Sequence, residues 1–371
     1  MRILQIGKYP KEYRGGIEAI LFSLSVYLAI DNKVEVVCGT REKCREEKVS
    51  ENLTFRYFPI WTTVASAPII PSLIAYLKKA KDFDIIQVTL PNPFAVLAYL
   101  IANPPGKLIV WYHYDIVGRL LGRILLYPFS RRFLRKADCI VVSSEKYKQT
   151  SKVLKDFKAK TIAIPHGINV SEFISLAEKE KSSISRKEYG SPLVLFVGRL
   201  VYYKGVKYLI RAMQDVNAHL LIIGYGILES KIKGLVCKLK LNNKVSFRHV
   251  PIQESIIAYM LACDVFVLPS IYRSEAFGVV LLEAMASGKP VVTTELRTGT
   301  SFACQNGVTG LVVPPKNPAA LAAAINRILC DQEFAKKLGE AGKRRVEENF
   351  TLKKMGESFL ELYRKLLTKE S

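Results

Sequence analysis

The stretch LVLFVGRLVYYKGVKYLIRAM, residues 193–213, decides the architecture. Leu193–Val197 is an unbroken apolar run closed by Gly198, the pattern of a strand buried on both faces of a parallel sheet. Tyr208–Met213 then reads as a helix, so strand, loop and helix follow in close order. The alternation continues downstream with strands at His219–Ile223, Lys244–Phe247, Val265–Leu268 and Val291–Thr293 and an alanine-rich helix at Pro318–Leu329. Upstream it has already run once. Strands are expected at Arg2–Gly7, Val34–Cys38, Ile85–Val88, Leu108–Trp111, Ile140–Val142 and Thr161–Ile164, and helices at Ile17–Leu28, Pro71–Ala80 and Pro93–Ala102. Between the two series lies Ser171–Gly190, polar and without apolar period, which reads as a linker. The 371 residues thus predict an α/β protein of two doubly wound units in series. Such sheets bind ligands beyond the carboxyl ends of their strands, and two facing units would make an inter-domain cleft.

Composition narrows the classes. At 49% hydrophobic and 24% charged residues the chain is globular. Seven cysteines (Cys38, Cys44, Cys139, Cys237, Cys263, Cys304 and Cys330) are scattered singly. That spacing argues against a zinc ribbon, a thiol redox motif and a disulfide scaffold. The opening MRILQIGKYP has no secretory pattern, and apolar windows such as Pro93–Ala102 stop well short of the ~20 residues of a spanning helix. A cytoplasmic address is expected. The formal charge of +22 directs attention to polyanionic partners: nucleic acid, anionic lipid or phosphorylated small molecules.

The strongest chemical signal is SEAFGVVLLEAMASGKP, Ser274–Pro290, in which Glu275 and Glu283 are separated by seven residues. A helix from about Phe277 would set the two carboxylates about 12 Å apart along its axis. Its first turn, with Gly278, would offer N–H groups and a positive dipole end to an anion between them. One acid could then hold sugar hydroxyls and the other a ribose diol. A plainer account makes Ser274 a helix cap and Glu283 a surface residue. Arg199 and Lys204, at a strand's carboxyl end, suit a diphosphate, one as a fork and one as a point charge. Gly15-Gly16, between the first strand and first helix, is a second candidate phosphate loop. Asp82-Phe83-Asp84 spells a metal-binding D-x-D, but just before a strand it reads as a turn, and no metal cofactor is expected.

The segments RGGIE (Arg14–Glu18), WYHYD (Trp111–Asp115), PHGIN (Pro165–Asn169), FVGRLVYYKGVKYLIRAM (Phe196–Met213), ACDVFVLPS (Ala262–Ser270), RSEAFGVVLLEAMASGKPVV (Arg273–Val292) and NGVTGLVVPP (Asn306–Pro315) run in order along the chain. Together they resemble the retaining glycosyltransferases of family 4, which have the GT-B fold of two Rossmann-like domains. TELRTGTSF (Thr294–Phe302) resembles a pattern of mannosyltransferases that elongate lipid-linked glycans, with Arg297 where a glycine is usual.

The resemblance implies an acceptor-binding domain at 1–168, a nucleotide-sugar domain at 169–351, and a terminal helix at about 352–371 packed back on the first. It implies that Arg199 and Lys204 neutralise the leaving diphosphate, that Glu275 contacts the transferred sugar and that Glu283 binds ribose. Phe277, Gly278 and Val279 would give backbone contacts, Gly16 would approach the diphosphate, and Val250, Pro251 and Ile252 would border the base. His113 would face the reacting sugar, and Asp115 would orient an acceptor hydroxyl or cap a helix. His219, inside an apolar strand, reads as core. The expected donor is GDP-mannose, with UDP-sugars as the alternative. The expected mechanism is metal-independent front-face transfer with retention.

Charge locates the acceptor side. Lys107–Lys160 holds thirteen Lys and Arg against four Asp and Glu. Within it Gly118–Ala137 interleaves Arg119, Arg123, Arg131, Arg132, Arg135 and Lys136 with leucines and phenylalanines, a composition suited to a membrane interface. Trp61–Leu77 is a second apolar stretch without charge. Both could equally be core helices whose arginines snorkel to water. The expectation is a peripheral enzyme at the inner face of the cell membrane, with a nucleotide sugar, a lipid-linked or oligosaccharide acceptor and an anionic surface as partners. Nucleic acid as the partner would leave the acidic pair unexplained. A dinucleotide oxidoreductase would need a G-x-G-x-x-G that does not follow Gly7. An epimerase of the same fold would be told apart by not requiring an acceptor.

Overall fold

The computed structural model describes residues 1–10, 12, 15–64, 67–115, 120–171, 192–250 and 256–368, the side chains of 120–127 excepted. The chain divides into two compact units, Met1–His166 with Leu352–Ser371, and Gly167–Thr351.

The first unit contains β1 (Arg2–Ile6), β2 (Lys33–Thr40), β3 (Arg45–Ser50), β4 (Leu53–Pro59), β5 (Thr62–Val64), β6 (Ala67–Ile69), β7 (Ile85–Leu90), β8 (Lys107–Tyr112), β9 (Cys139–Val142) and β10 (Thr161–Ala163). Eight of them form one sheet in the order β10-β9-β8-β7-β1-β2-β4-β3. Every pairing is parallel except β3 on β4. The central strands are buried nearly end to end, which is why they read as apolar runs without alternation. The edge strand β3, REEKVS, is almost wholly exposed, and its charges guard an edge that would otherwise pair with another chain. It lacks any apolar period, so sequence reading passes over it.

Two buried glutamines sit in the middle of this sheet, and the side-chain oxygen of each accepts a hydrogen bond from a helix. Ser25 donates to Gln5 at 2.6 Å, and the Tyr363 hydroxyl donates to the Gln87 side chain. Tyr363 belongs to the terminal helix Leu352–Thr368, which also buries Met355, Phe359, Leu360 and Leu362. Phe359 meets Trp111 of β8 edge-on at 5.1 Å. Gly356 lets this helix close on Gly16–Leu28, because a Cβ there would fall 2.0 Å from the Tyr27 ring.

The second unit contains β11 (Leu193–Val197), β12 (His219–Ile223), β13 (Val245–Arg248), β14 (Val265–Leu268), β15 (Val291–Thr294) and β16 (Leu311–Val313), all parallel, in the order β13-β12-β11-β14-β15-β16. The order reverses direction between β11 and β14. Ligands of open α/β sheets bind at the carboxyl ends of strands beside such a reversal.

Two expectations are corrected, whereas Asp82 and Asp84 have the structural place expected of them. Trp61–Leu77 is not one apolar helix: β5 and β6 pair as a hairpin, and Pro71 opens the helix Pro71–Lys79. Trp61 itself is 77% exposed, whereas Leu73 and Leu77 are core. His219 is the entry residue of β12, half-buried and bonded to the Ser246 hydroxyl at 2.9 Å. Asp82 and Asp84 fasten the first strand: Asp84 accepts from the Arg2 N–H at 2.7 Å, and Asp82 pairs with the Arg2 guanidinium at 3.3 Å.

Candidate active site

In the second unit, β11 leads through Gly198 and Arg199 into a single tight turn, Tyr202–Lys204, which Gly205 ends in the left-handed region at φ 68°. A Cβ on Gly205 would lie 2.1 Å from the Pro269 carbonyl oxygen. Glycine there lets the loop after β11 press against the loop after β14, across the reversal of strand order. That contact brings Lys204 Nζ to 2.6 Å from the Glu275 carboxylate, with side chains only 11% and 9% exposed. The Ser270 hydroxyl donates to Glu275 Oε2 at 2.8 Å, and the Thr298 hydroxyl donates to the Glu275 carbonyl at 2.9 Å. Removing either member of such a pair would strand a buried charge. Arg199 is exposed, and its guanidinium donates to the Tyr203 hydroxyl at 3.1 Å.

Glu275 is followed by buried Ala276 and Phe277, the latter edge-on to Phe350 at 5.7 Å. Gly278, at φ 76°, then caps the helix Val279–Ala286 without a side chain. A Cβ on it would lie 2.9 Å from the Leu268 side chain. The first-turn N–H groups are therefore left to an acceptor other than a capping side chain. The helix starts two residues later than expected, so the uniform helical rise between the acids does not apply, and Ser274 does not cap it. Glu275 precedes the helix; Glu283 lies on its second turn, half-buried. Burial pushes the Glu283 carboxyl up to about 7, with Lys204 pulling the other way. One cation thus acts on both candidate carboxylates. Val250 is buried after β13; Pro251 and Ile252 lie outside the described residues.

Sequence reading missed Ser270 and Thr298. Ser270 closes the run ACDVFVLPS and was visible as the last residue before a loop. Thr298 lies after β15, within the stretch Thr294–Phe302 quoted for its resemblance, which gave it no role.

In the first unit, Gly15 is extended at φ −92° and precedes the helix Gly16–Leu28. A Cβ on Gly16 would meet no atom within 4 Å, so packing makes no demand for glycine there. Arg14 lies outside the described residues. His113, just past β8, is 1% exposed. Its ring lies 4.8 Å from that of Trp111 and 5.2 Å from that of His166. Neither of its nitrogens meets a hydrogen-bond partner among the described residues. Burial first, then His166, holds His113 well below the usual imidazole range, and burial takes His166 down to about 3. Both rings are neutral near pH 7, so His113 offers a hydrogen bond rather than a charge. The Asp115 carboxylate accepts from the Tyr112 hydroxyl at 2.9 Å and from Ser151 at 2.8 Å, and its N–H donates to the Tyr147 hydroxyl at 2.7 Å. It ties β8 to the helix Glu145–Thr150 and its end.

The basic segment forms the helix Leu120–Lys136. Phe133 and Leu134 are core, whereas Arg132, Arg135 and Lys136 are exposed and Phe129 is 48% exposed. Arg131 pairs with Asp156 at 2.5 Å and lies over the Phe157 ring, and Lys136 donates to Asn103 at 2.6 Å. Arg119 and the side chain of Arg123 lie outside the described residues. Among the described residues no helix is long and apolar enough to cross a membrane.

Residues 14–172 match the family model described as Glycosyltransferase Family 4, and residues 177–345 match Glycosyl transferases group 1. The O-antigen chain mannosyltransferase C of Escherichia coli is 34% identical over 375 residues, covering 100% of both chains. A GDP-mannose-dependent monoacylated alpha-(1-6)-phosphatidylinositol monomannoside mannosyltransferase of Corynebacterium glutamicum is 28% identical, covering 92% of each. Among solved structures, sucrose-phosphate synthase from Thermosynechococcus elongatus superimposes with a TM-score of 0.82 at 25% identity, covering 100% of both chains.

Proposed function

The chain belongs to the family 4 glycosyltransferases of GT-B fold, and on that premise we propose that it transfers mannose from GDP-mannose, with retention, to a lipid-linked glycan. The observation that carries the reading is the buried Lys204–Glu275 pair set across the strand-order reversal, beside a helix start whose N–H groups no side chain caps.

In this reading the β-phosphate sits at Gly278–Val279, with Arg199 and Lys204 as its countercharges. As the bond from the sugar C1 to the phosphate oxygen breaks, negative charge grows on the diphosphate and positive charge on the sugar ring. Fixed cations and helix N–H groups stabilise that redistribution without having to reorganise. Glu275, held by Ser270 and Thr298, accepts hydrogen bonds from hydroxyls of the transferred sugar. Glu283 accepts from the ribose diol, and Val250 borders the base. The acceptor oxygen attacks C1 from the face the phosphate leaves, and its proton passes to the departing phosphate oxygen. The scheme draws on no divalent metal. The similarity to two mannosyltransferases, one named as GDP-mannose-dependent with a lipid-borne acceptor, supports mannose, GDP and lipid. The exposed Arg132, Arg135 and Lys136 beside Phe129 support an anionic membrane surface as the place of transfer.

The test compares GDP-mannose with UDP- and ADP-sugars in a transfer assay, with Glu275→Gln as the probe. GDP-mannose should be turned over in the presence of EDTA. The variant should lose transfer almost completely while GDP still raises its Tm, because ligand stabilises by mass action. Turnover by the variant within a few-fold of the parent would remove Glu275 from the chemistry, and preference for another nucleotide would replace the donor.

A further inference from the structure

Four side chains beside the Lys204–Glu275 pair play no part in the scheme above. Tyr272 follows β14, Arg297 follows β15 and Lys316 follows β16, so three neighbouring strands each deliver one of them to the same carboxyl edge. Tyr202, from the turn after β11, completes the group: its ring centre lies 5.6 Å from that of Tyr272, and the two residues are 50% and 36% exposed. Lys316 Nζ stands 4.8 Å from the centre of the Tyr272 ring. Arg297 is joined to the same patch through its backbone, whose carbonyl accepts from the Arg273 guanidinium at 2.9 Å. The next residue, Thr298, is the one that holds the Glu275 carbonyl.

Arg297 and Lys316 are both exposed, and both occupy the left-handed region, at φ 55° and 62°. Glycine would sit at either position without strain, yet each carries a long cation. Strand order separates this patch from the base. Val250 follows β13 at one edge of the sheet, whereas Lys316 follows β16 at the other. The patch therefore lies on the sugar side of Glu275. A guanidinium fork and an ammonium suit a carboxylate or phosphate, and exposed tyrosine rings suit the flat face of a pyranose.

We propose that Arg297, Lys316, Tyr272 and Tyr202 form a subsite for an anionic sugar, a pyranose bearing a carboxylate or phosphate. The inference rests on the reading of the Lys204–Glu275 site as the donor site. The charge can reside on the transferred sugar or on the acceptor glycan, and the two sources are separable.

The direct test is binding of glucuronic acid and glucose 6-phosphate against glucose, measured by ligand-observed NMR on the full chain with GDP present. The charged sugars should bind about tenfold more tightly, as charge-assisted hydrogen bonds allow. Arg297→Gly and Lys316→Gly should each erase that preference with Tm and GDP affinity unchanged, since glycine takes the left-handed backbone freely. Lys336→Gln, a change at an exposed helix cation elsewhere, should leave it intact. Transfer assays then assign the source: a uronic acid carried on the donor nucleotide, or a phosphorylated or uronic-acid-containing acceptor, should lose rate in the glycine variants while its neutral counterpart does not. Equal binding of charged and neutral sugars, or a preference that survives both glycine variants or falls equally in Lys336→Gln, overturns the subsite. If the preference is found but no nucleotide sugar binds or turns over, the donor-site reading fails and the anionic subsite stands.

Discussion

Lys204 and Arg199 carry the same charge five residues apart, and burial separates what each can do. Lys204 is locked against Glu275, so Lys204→Ala leaves a carboxylate without its partner in a dry site. Such losses cost about 3–5 kcal/mol, and the variant should show a lower Tm together with lost activity. Arg199 is exposed, and its guanidinium donates to the nearby Tyr203 hydroxyl, so its removal should spare the fold. Arg199→Ala is therefore the cleaner kinetic probe: kcat should fall more than donor KM rises, because in the proposed scheme the charge it faces grows in the transition state. Steady-state kinetics beside a thermal melt would separate the two; a pure KM effect would make Arg199 a uniform binding residue. Glu283 adds a pH signature. In the proposed scheme its carboxyl, raised to about 7, accepts both ribose hydroxyls only when ionised. Donor KM should rise as pH falls through about 7, and Glu283→Gln should have a high KM that no longer varies there. The sign for stability is the reverse. An acid raised in the folded state favours folding most at low pH, and that contribution is lost as pH climbs from its unfolded value of about 4.3 to about 7.

The terminal helix Leu352–Thr368 is a structural brace of the first unit. Its apolar residues Met355, Phe359, Leu360, Leu362 and Tyr363 recur at helical spacing and face the sheet and the helix Gly16–Leu28. Gly356 sets the distance between the two helices. Gly356→Ala would drive a methyl into the Tyr27 ring, and even with relaxation overpacking of this kind costs about 1–3 kcal/mol. The Tm of the first unit should fall measurably, while GDP binding, which draws on the second unit in the proposed scheme, should persist. A variant as stable as the parent would mean that Tyr27 swings aside at little cost. The helix itself was expected from the family resemblance. The edge strand β3 was not, because charge on an exposed edge leaves no period to read.

At the scale of the whole chain, the charge of +22 is the property no single site explains. The helix Leu120–Lys136 displays Arg132, Arg135 and Lys136, while Arg131 is engaged by Asp156. Replacing the three exposed cations by Gln should weaken co-sedimentation with anionic vesicles and slow transfer to a lipid acceptor, yet spare donor hydrolysis. Binding should also weaken at 1 M salt, where the Debye length shrinks to about 3 Å. Equal partitioning onto neutral and anionic vesicles, untouched by the substitutions, would favour a soluble acceptor.

Local pattern alone determined the two parallel sheets and the candidate acids, while the expected linker, Ser171–Gly190, lies beyond Ser171 outside the described residues. Buried parallel strands must be apolar throughout, and a glycine or an acid at a strand's carboxyl end is readable in one short window. What sequence could not decide is which charged groups leave water. Lys204 and Arg199 look alike in the chain, and only the close approach of the loops after β11 and β14, permitted by Gly205, buries one and exposes the other. The Thr298–Glu275 bond and the Tyr363–Gln87 bond, whose partners are 23 and 276 residues apart, belong to the same class. Each depends on a meeting of distant segments that the order of strands in the sheet creates, and no window of sequence contains both partners.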